Sequence, residues 1–279
     1  MTPLPPLVIN AALTGMIPRK KDSSHVPVTP AEIAADAERC RRAGASIVHL
    51  HARDEDGQPT YRREVYAEIV AQVRDRCPDL VVCVSTSGRV FKTFEERADV
   101  LALDGDLRPD MASLTLGSLN FPGEASVNDP DMIRRLAERM RERGIVPELE
   151  IFDLGMLDYA KFLLERGVLE PPLYFNFLLG SLGTLSATPL HLALLVERTP
   201  AGSVWAAAGI GRFQSYVNTL AVAIGGHVRV GLEDNLWLDD ARTQLATNEQ
   251  LVERLAGVAR AMGRQVADPR AARGLIGLS

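Results

Sequence analysis

The chain has 279 residues, 46% of them hydrophobic and 24% charged, which is enough for a substantial core in one large α/β domain or two small ones. The formal net charge of −5 is spread along the chain without a basic block, which argues against nucleic acid as a partner. Three scattered cysteines (Cys40, Cys77 and Cys83), no signal-peptide pattern and no apolar run near ~20 residues predict a cytoplasmic protein without membrane contact.

Short runs rich in Val, Ile and Leu alternate with longer amphipathic segments along the chain. The first predicted strand covers 6–15, and the helix that follows over 28–44 has Thr29 as its N-cap and Gly44 as its end. The other predicted strands cover 46–52, 80–88, 111–117, 146–152, 173–180, 203–211 and 227–234. The other predicted helices cover 62–76, 93–103, 129–144, 154–167, 189–197, 212–224 and 247–262.

Eight strand–helix units in this length predict a (β/α)₈ TIM barrel, an α/β fold that occupies residues 1–279 as a single domain. A doubly wound open sheet is the rival architecture. It is disfavoured because no G-x-G-x-x-G pattern follows the first strand. In a barrel of this kind the chemistry lies at the C-terminal ends of the strands, so the polar residues at those ends are the candidates for function.

A histidine pair ends the second predicted strand. His49 and His51 are two residues apart, so both imidazoles point to the same face of the strand. Each could be a core histidine with a hydrogen-bond partner, but the pair at the end of a buried strand favours a shared metal ion. Glu233, at the end of the eighth strand, is the expected third ligand, although it could instead cap the next turn. Such a set leaves open positions on zinc, as in catalytic sites.

Several further polar residues are candidates for substrate contact or proton transfer. Arg229 and Asp234 flank Glu233, so Asp234 is either a positioned base or part of a loop salt bridge. The loop of Ser85, Thr86, Ser87 and Gly88 offers hydroxyl and N–H groups to a carboxylate or phosphate, but these are also ordinary turn residues.

The remaining candidates are polar residues near other strand ends. Glu148 and Glu150 share a face of the fifth strand, with Glu150 the better catalytic candidate and Glu148 a member of an internal ion pair. Thr115 and Thr14 could line the pocket, and Asn176 is a weaker candidate. The basic residues Arg19, Lys20 and Lys21 are interpreted as a solvated cluster rather than a lid.

These strand ends resemble a known family, the β-keto acid cleavage enzymes, over nearly the whole chain. The resemblance implies a zinc-dependent (β/α)₈ barrel, usually a homotetramer, that converts a β-keto acid and acetyl-CoA into acetoacetate and a new acyl-CoA. The motifs that carry it are "NAALTG", "VTPAEIAADAERCRRAGASIVHLHARDEDGQPT", "STSG", "RPDMASLTLGSLNF", "PELEIFDLGM" and "HVRVGLEDNLW".

The same resemblance assigns roles to residues. It implies that His49, His51 and Glu233 bind zinc, with other divalent transition metals as alternatives, and that Arg229 and Asp234 form a catalytic pair. Ser85 and Thr115 match the contacts of the substrate carboxylate. The sequence departs from the family where a glutamate binds the amine of an amino-bearing keto acid, because Ile17 stands at about that position. This departure argues against an amino substrate.

The initial mechanistic hypothesis is that Asp234, oriented by Arg229, takes a proton from the acetyl-CoA methyl group or its equivalent, and that the carbanion attacks the keto carbon. Glu150 is a candidate for assisting the cleavage that follows. Two other functions remain open on the sequence: a metal-dependent hydrolase or aldolase on the same barrel, and a non-catalytic barrel that binds a metal or metabolite.

Overall fold

A computed structural model describes residues 4–278 and has a closed barrel of eight parallel strands, which confirms the predicted (β/α)₈ fold. The strands follow chain order around the barrel, and the last pairs with the first. They are β1 (Ile9–Ala12), β2 (Ile47–Leu50), β3 (Val81–Val84), β4 (Met111–Thr115), β5 (Val146–Ile151), β6 (Tyr174–Leu179), β7 (Val204–Gly209) and β8 (His227–Val230).

Helices pack outside the strands. Their starts follow the sequence signals: Thr29 caps the first helix in a capping box with Glu32, and Pro30 occupies its first position. The helices are α1 (Pro30–Ala43), α2 (Arg63–Arg76), α3 (Phe94–Ala98), α4 (Pro130–Glu142), α5 (Leu154–Glu165), α6 (Pro189–Arg198), α7 (Gln214–Ala223), α8 (Asn248–Ala261) and α9 (Pro269–Ile276).

Apart from shifted ends, such as β8 ending at Val230 rather than residue 234, the structure differs from the predicted elements in three places. The predicted helix over 93–103 is a short α3 followed by a 3₁₀ turn, Asp99–Ala102. A two-stranded antiparallel hairpin, Leu119–Asn120 with Ala125–Ser126, lies in the loop after β4 and was not predicted, because its strands are too short to carry a period. Helix α9 was also missed, although Asp268 caps it and Pro269 begins it.

The two ends of the barrel have different interiors. At the N-terminal end most inward side chains are apolar, and α9 closes this end by packing Ala272 and Ile276 against them. Closer to the C-terminal ends of the strands, the inward positions of β2, β5 and β8 are polar, and His49, Glu148 and Arg229 are all buried. The fold therefore concentrates buried polar groups at the C-terminal ends of the strands, where barrel enzymes hold their active sites.

The three cysteines are buried and free. Within residues 4–278, no helix is both long enough and apolar enough to cross a bilayer.

Candidate active site

Strand pairing brings the predicted metal ligands together. β2 lies beside β1, which lies beside β8, so the end of β8 is two strands from the histidine pair. The Nε2 atoms of His49 and His51 are 3.2 Å apart, and Oε1 of Glu233 lies 3.1 Å from Nε2 of His51. Oε2 of Glu233 lies 3.9 Å from Nε2 of His49. Two nitrogen ligands of a tetrahedral zinc ion are separated by about 3.3 Å, given bonds of about 2.0–2.1 Å.

Unsatisfied polar atoms in this cluster also fit a metal ion. Oε2 of Glu233 is buried and has no hydrogen-bond partner in residues 4–278. Burial lowers the pKa of His51 and so favours the neutral imidazole that a metal requires, although the charge of Glu233 partly opposes this effect. These three side chains could therefore hold a divalent metal ion.

Glu148 lies behind His49 at the centre of the barrel. Its Oε2 accepts from Nδ1 of His49 at 2.7 Å, which leaves Nε2 directed to the cluster. Its Oε1 accepts from the amides of Asn10 at 2.7 Å and Asn176 at 3.2 Å. Burial alone would raise the pKa of Glu148, but the charges and hydrogen bond of His49, with Arg229, hold that pKa below its ordinary value. Glu148 thus fixes the ring orientation of one histidine of the metal-capable cluster.

A second group of metal-capable side chains is formed by His49, Cys83 and Glu148. It does not suit an ion as well, because burial raises the pKa of the Cys83 thiol far above its usual range and keeps it protonated. The thiol instead donates to Oε2 of Glu148 at 3.4 Å. Since Glu148 is already occupied by three other donors, this group supports the histidine rather than forming a site.

One guanidinium organises the carboxylates of the site. Arg229 has 2% of its side chain exposed, and it donates to Asp234 at 3.1 Å, Glu150 at 3.1 Å and Glu233 at 2.7 Å. Burial alone would raise the pKa of Glu233, but Arg229 and the two histidines hold it well below the ordinary value. The site therefore combines an ionised ligand with a fixed cation.

Asp234 responds differently to the same environment. Burial raises its pKa to about 6, the charge of Arg229 opposes that rise, and the neighbouring Glu233 adds to it. A carboxyl group with a pKa near neutral pH is suited to accept and return a proton. The structure thus places the predicted Arg229–Asp234 pair directly beside the metal-capable cluster.

These groups open into a cavity of about 590 Å³ at the C-terminal end of the barrel. Its wall includes His51, Arg229, Glu233, Asp234, Glu150, Ser85, Ser87, Thr115 and Ile17, all predicted from the sequence. The hydroxyl of Thr115 donates to Oε2 of Glu150 at 2.6 Å. A larger cavity of about 930 Å³ lies at the opposite end of the barrel, but neither of the two metal-capable clusters found in residues 4–278 lines it.

Three predicted substrate residues lie behind the wall of this cavity. The Thr86 hydroxyl donates to the carbonyl of Ser113 at 2.6 Å, and the Thr14 hydroxyl donates to the carbonyl of Pro27 at 3.0 Å. Gly88 packs so closely that a Cβ there would lie 2.6 Å from the carbonyl oxygen of Val127. These residues shape the loops instead of lining the cavity. The two hydroxyl groups already donate to backbone carbonyls, and the glycine packs directly against the backbone.

The sequence analysis missed several residues of the cavity wall. Arg89 directly follows the Ser85–Gly88 loop, and its position in a predicted strand-end loop was a usable signal. Phe121 and Glu124 come from the unpredicted hairpin, and Arg212 and Arg242 come from the loops after β7 and β8. No periodic pattern marks such loop residues, so their convergence required the three-dimensional structure.

Comparison with known proteins identifies the family of the chain. A family model described as β-keto acid cleavage enzyme matches residues 6–278. The chain is 40% identical to the 3-keto-5-aminohexanoate cleavage enzyme of Fusobacterium nucleatum, with 98% of each chain covered. It is 37% identical to the 3-oxoadipate:acetyl-CoA acetyltransferase of Cupriavidus necator, with 98% of this chain and 95% of the relative covered.

A solved structure supports the fold. The apo structure of ObcA superimposes with a TM-score of 0.81 at 23% sequence identity, covering 92% of this chain and 66% of that chain. The architecture is that of a (β/α)₈ barrel, and its metal-capable cluster lies at the C-terminal mouth. The chain belongs to the β-keto acid cleavage enzyme family, whose members cleave a C–C bond and include acetyl-CoA-dependent transferases.

Proposed function

We propose that this enzyme uses a zinc ion to convert a β-keto acid and acetyl-CoA into acetoacetate and a new acyl-CoA. The observation that carries the proposal is the convergence of His49, His51 and Glu233 next to the Arg229–Asp234 pair, all of which except the buried His49 line one cavity. Two imidazoles and one carboxylate favour zinc among the available divalent metals, although cobalt, nickel or manganese would satisfy the same ligands.

The metal ligands are held by the protein's own contacts. Glu148 orients His49, and Arg229 donates to Oε1 of Glu233 at 2.7 Å. A divalent ion bound there supplies Lewis-acid polarisation of the substrate's keto oxygen. The residues around it do the rest: they position the keto acid, move a proton and limit access of water to the barrel interior.

The balance of atoms identifies the carbon that Asp234 deprotonates. Acetoacetate formed from R–CO–CH₂–COO⁻ and acetyl-CoA contains the keto acid's C1 and C2 and the acetyl group. Asp234 therefore takes a proton from C2 of the keto acid, and that carbon attacks the acetyl carbonyl and displaces the CoA thiolate. The thiolate then attacks C3, the C2–C3 bond breaks, and a proton returned to C2 completes acetoacetate.

This chemistry corrects the sequence-based hypothesis. Attack of the acetyl-CoA methyl carbon on the keto carbon, followed by retro-Claisen cleavage, would release acetate and leave CoA on a 3-oxoacyl chain. It would not give acetoacetate. Asp234 keeps its role as base, with Arg229 donating to it at 3.1 Å, while the carbon acid becomes the keto acid itself. Glu150, which accepts from Arg229 at 3.1 Å, is placed to assist proton return.

The substrate carboxylate at C1 is assigned to Ser85. Its oxygen accepts from the N–H of Ser87 at 3.2 Å, so the hydroxyl hydrogen remains available to a ligand in the cavity. Thr115 already donates its hydroxyl hydrogen to Glu150, and its contribution would require that bond to open. We therefore place Ser85 ahead of Thr115 as the carboxylate contact.

The mouth of the cavity suits the phosphates of acetyl-CoA. Arg212 and Arg242 are exposed at its rim, and neither side chain forms an ion pair or hydrogen bond within residues 4–278. Phe213 beside them offers an apolar surface. Together they provide positive charge to the phosphates and apolar contact to the arm of the cosubstrate.

The deciding experiment is turnover by the purified protein across a panel of β-keto acids with acetyl-CoA, measured as acetoacetate release together with bound metal. His49→Ala should lose both the metal and the activity. Turnover of the keto acid without conversion of acetyl-CoA to a new acyl-CoA would indicate a hydrolase or aldolase instead. Tight metal binding without any turnover would indicate a non-catalytic barrel.

The oligomeric state and the cellular location of the enzyme are also proposals. The family resemblance implies a homotetramer, which light scattering should report as four times the 30.4 kDa chain mass. A cytoplasmic location is supported by the buried free cysteines, which suit a reducing compartment.

A further inference from the structure

Arg89 places a positive charge in the wall of the active-site cavity. Its guanidinium lies over the ring of Phe121, 3.4 Å from the ring centre, and only 15% of its side chain is exposed. Its Nε is 3.7 Å from Oε1 of Glu124, too far for a hydrogen bond, and 40% of the Glu124 side chain is exposed. None of the N–H groups of this guanidinium donates a hydrogen bond within residues 4–278, so these donors are available to a ligand in the cavity.

The carboxylates of the same wall are already engaged. Glu150, Glu233 and Asp234 each accept from Arg229. Glu124 is the only other acidic residue in the wall among residues 4–278, and it faces Arg89. A substrate ammonium group would therefore find only Glu124, whose charge is already paired loosely with Arg89, while a substrate anion would find the unused donors of the guanidinium.

The wall next to the first strand agrees with this charge pattern. Ile17 lies on it with 55% of its surface exposed, and an aliphatic side chain offers nothing to an ammonium group. The relatives do not decide the matter, because their names include both an amino-bearing and a dicarboxylic keto acid. The charge of the preferred substrate must therefore be inferred from the residues of this chain's own cavity.

From these contacts we infer that Arg89 determines specificity by binding an anionic group, a carboxylate, at the end of the keto acid distant from C1. The preferred substrates are then β-keto dicarboxylic acids. This inference rests on the proposed function for its reaction, but it concerns binding and can be tested without turnover. A guanidinium stacked on an aromatic ring is held in one orientation, which suits bidentate contact with a carboxylate.

The test compares three keto acids of equal carbon number: 3-oxoadipate, 3-oxohexanoate and 3-keto-5-aminohexanoate. The wild-type kcat/KM should be highest for the dicarboxylate. In Arg89→Gln the ratio of kcat/KM for 3-oxoadipate over 3-oxohexanoate should fall about 10- to 100-fold, the effect of losing a charge-assisted hydrogen bond. Arg89→Lys should recover part of that ratio, because it restores the charge without the planar pair of donors.

Arg135→Gln is the matched control. Arg135 also lies over a phenylalanine, 3.9 Å from the ring centre of Phe94, and has a loose ion pair with Glu95 at 3.6 Å, but it is outside the cavity. The substrate ratio should stay at the wild-type value in this variant. A ratio lowered equally in both variants would show a general effect of losing the stacked arginine and would overturn the inference.

Calorimetric binding of the same three acids, without acetyl-CoA, separates the two proposals. Preferential binding of 3-oxoadipate that depends on Arg89 would support the inference even if no acetoacetate formed, in which case only the proposed function would fail. If Arg89→Gln lost binding affinity equally for all three acids, Arg89 would bind the C1 carboxylate that they share, and the inference would be overturned. A wild-type preference for the neutral or the amino acid would also overturn it.

Discussion

Glu148 carries a negative charge into the centre of the barrel, and each of its contacts stabilises that charge. Three donors besides Cys83 surround it: His49, Asn10 and Asn176. The residue has 0% of its surface exposed, so its charge depends on these partners and on the nearby guanidinium of Arg229. Because the bond from His49 sets the direction of the metal-facing nitrogen, Glu148 determines the geometry of the site without contacting the metal.

We expect Glu148→Gln to weaken metal binding about 10- to 100-fold, since an amide cannot support the imidazole as a carboxylate does. Competition with a chromogenic chelator measures the affinity. Glu138→Gln on the outer surface of α4, where Glu138 pairs with Arg134, is the control and should bind metal like the wild type. Unchanged metal affinity in the Glu148 variant would show that His49 is oriented by other contacts.

The second prediction at this scale concerns the base. Asp234→Asn should lower kcat by about 10²- to 10⁴-fold, because the amide can still accept from Arg229 but cannot take a proton. Burial raises the pKa of Asp234 to about 6, so the ionised, active form increases as the pH rises through that value. A cation bound at Glu233 would lower this pKa.

In the wild type, the acid limb of kcat/KM should therefore have its midpoint at or below about pH 6, with a plateau at higher pH. In Asp234→Asn, the residual activity should show no such limb. An Asp234→Asn enzyme that retained both wild-type kcat and the same acid limb would remove Asp234 from the mechanism. The pH profile and single-turnover rates measure both quantities.

The sequence predicted the metal-capable residues because their spacing carries the information. Two residues apart on a strand means one face, and the closed barrel then brings Glu233 from the last strand to the second. Arg89 could not be assigned in this way, since its position depends on the hairpin that supplies Phe121. Loop residues converge through tertiary contacts that no local period records.

At the scale of elements, the strand ends determine where ligands lie. β8 ends at Val230 rather than at the predicted residue 234, because the chain turns at Gly231. A Cβ on Gly231 would lie 2.1 Å from the carbonyl oxygen of Ala12, so only glycine permits this approach. The turn lets the Glu233 N–H donate to that same carbonyl at 3.2 Å, which fixes the ligand to the end of β1.

A glycine on the other side of the contact gives a prediction. Gly15 has a φ of +70°, and a Cβ there would lie 2.6 Å from Cγ of Glu233. Gly15→Ala should therefore displace the carboxylate and weaken metal binding, in addition to about 1 kcal/mol of backbone strain. Gly167→Ala has nearly the same φ, +69°, and nothing within 4 Å of the added methyl group.

Both alanine variants should lose stability in thermal unfolding from the backbone strain they share, and Gly15→Ala should lose more because its methyl group also meets Glu233. Only Gly15→Ala should lose metal affinity. This comparison isolates the contact from the backbone strain that the variants share. Equal metal affinity in both would show that Glu233 adapts to the methyl group without moving its carboxylate.

The order of elements was predictable for a related reason. Capping residues and apolar periods are local, and the eight strand–helix units follow from them, including the capping box of Thr29 with Glu32. The hairpin after β4 and the helix α9 break that rhythm. Each adds to the barrel through tertiary packing: the hairpin covers the mouth, and α9 fills the opposite end.

At the scale of the whole molecule, the barrel closes where the first strand meets the last. Asn10 pairs in register with Arg229, so two polar interior groups of the site lie on the closing pair of strands. Below them, Nδ1 of His227 accepts from the N–H of Val8 at 2.9 Å. This bond requires an unprotonated Nδ1 and therefore a neutral imidazole, so closure of the barrel is linked to pH.

Burial, with a smaller contribution from the charge of Arg264, lowers the pKa of His227 to about 3. In the unfolded chain the same imidazole has a pKa of about 6.5. Between these two values the unfolded state binds more protons than the folded state, so stability falls as the pH is lowered through this window and is unaffected by this residue well above it. From pH 7 to pH 5 the loss attributable to His227 is about 2 kcal/mol of unfolding free energy.

His227→Asn tests this linkage, because the Asn side-chain oxygen can accept from Val8 without titrating. The variant's unfolding free energy, measured by denaturant titration between pH 7 and pH 5, should fall by about 2 kcal/mol less than that of the wild type. Comparing the two slopes cancels the contributions of all other titrating groups. Parallel pH dependences would mean that the folded barrel accommodates a charged His227, and the closing bond to Val8 would then not couple stability to pH.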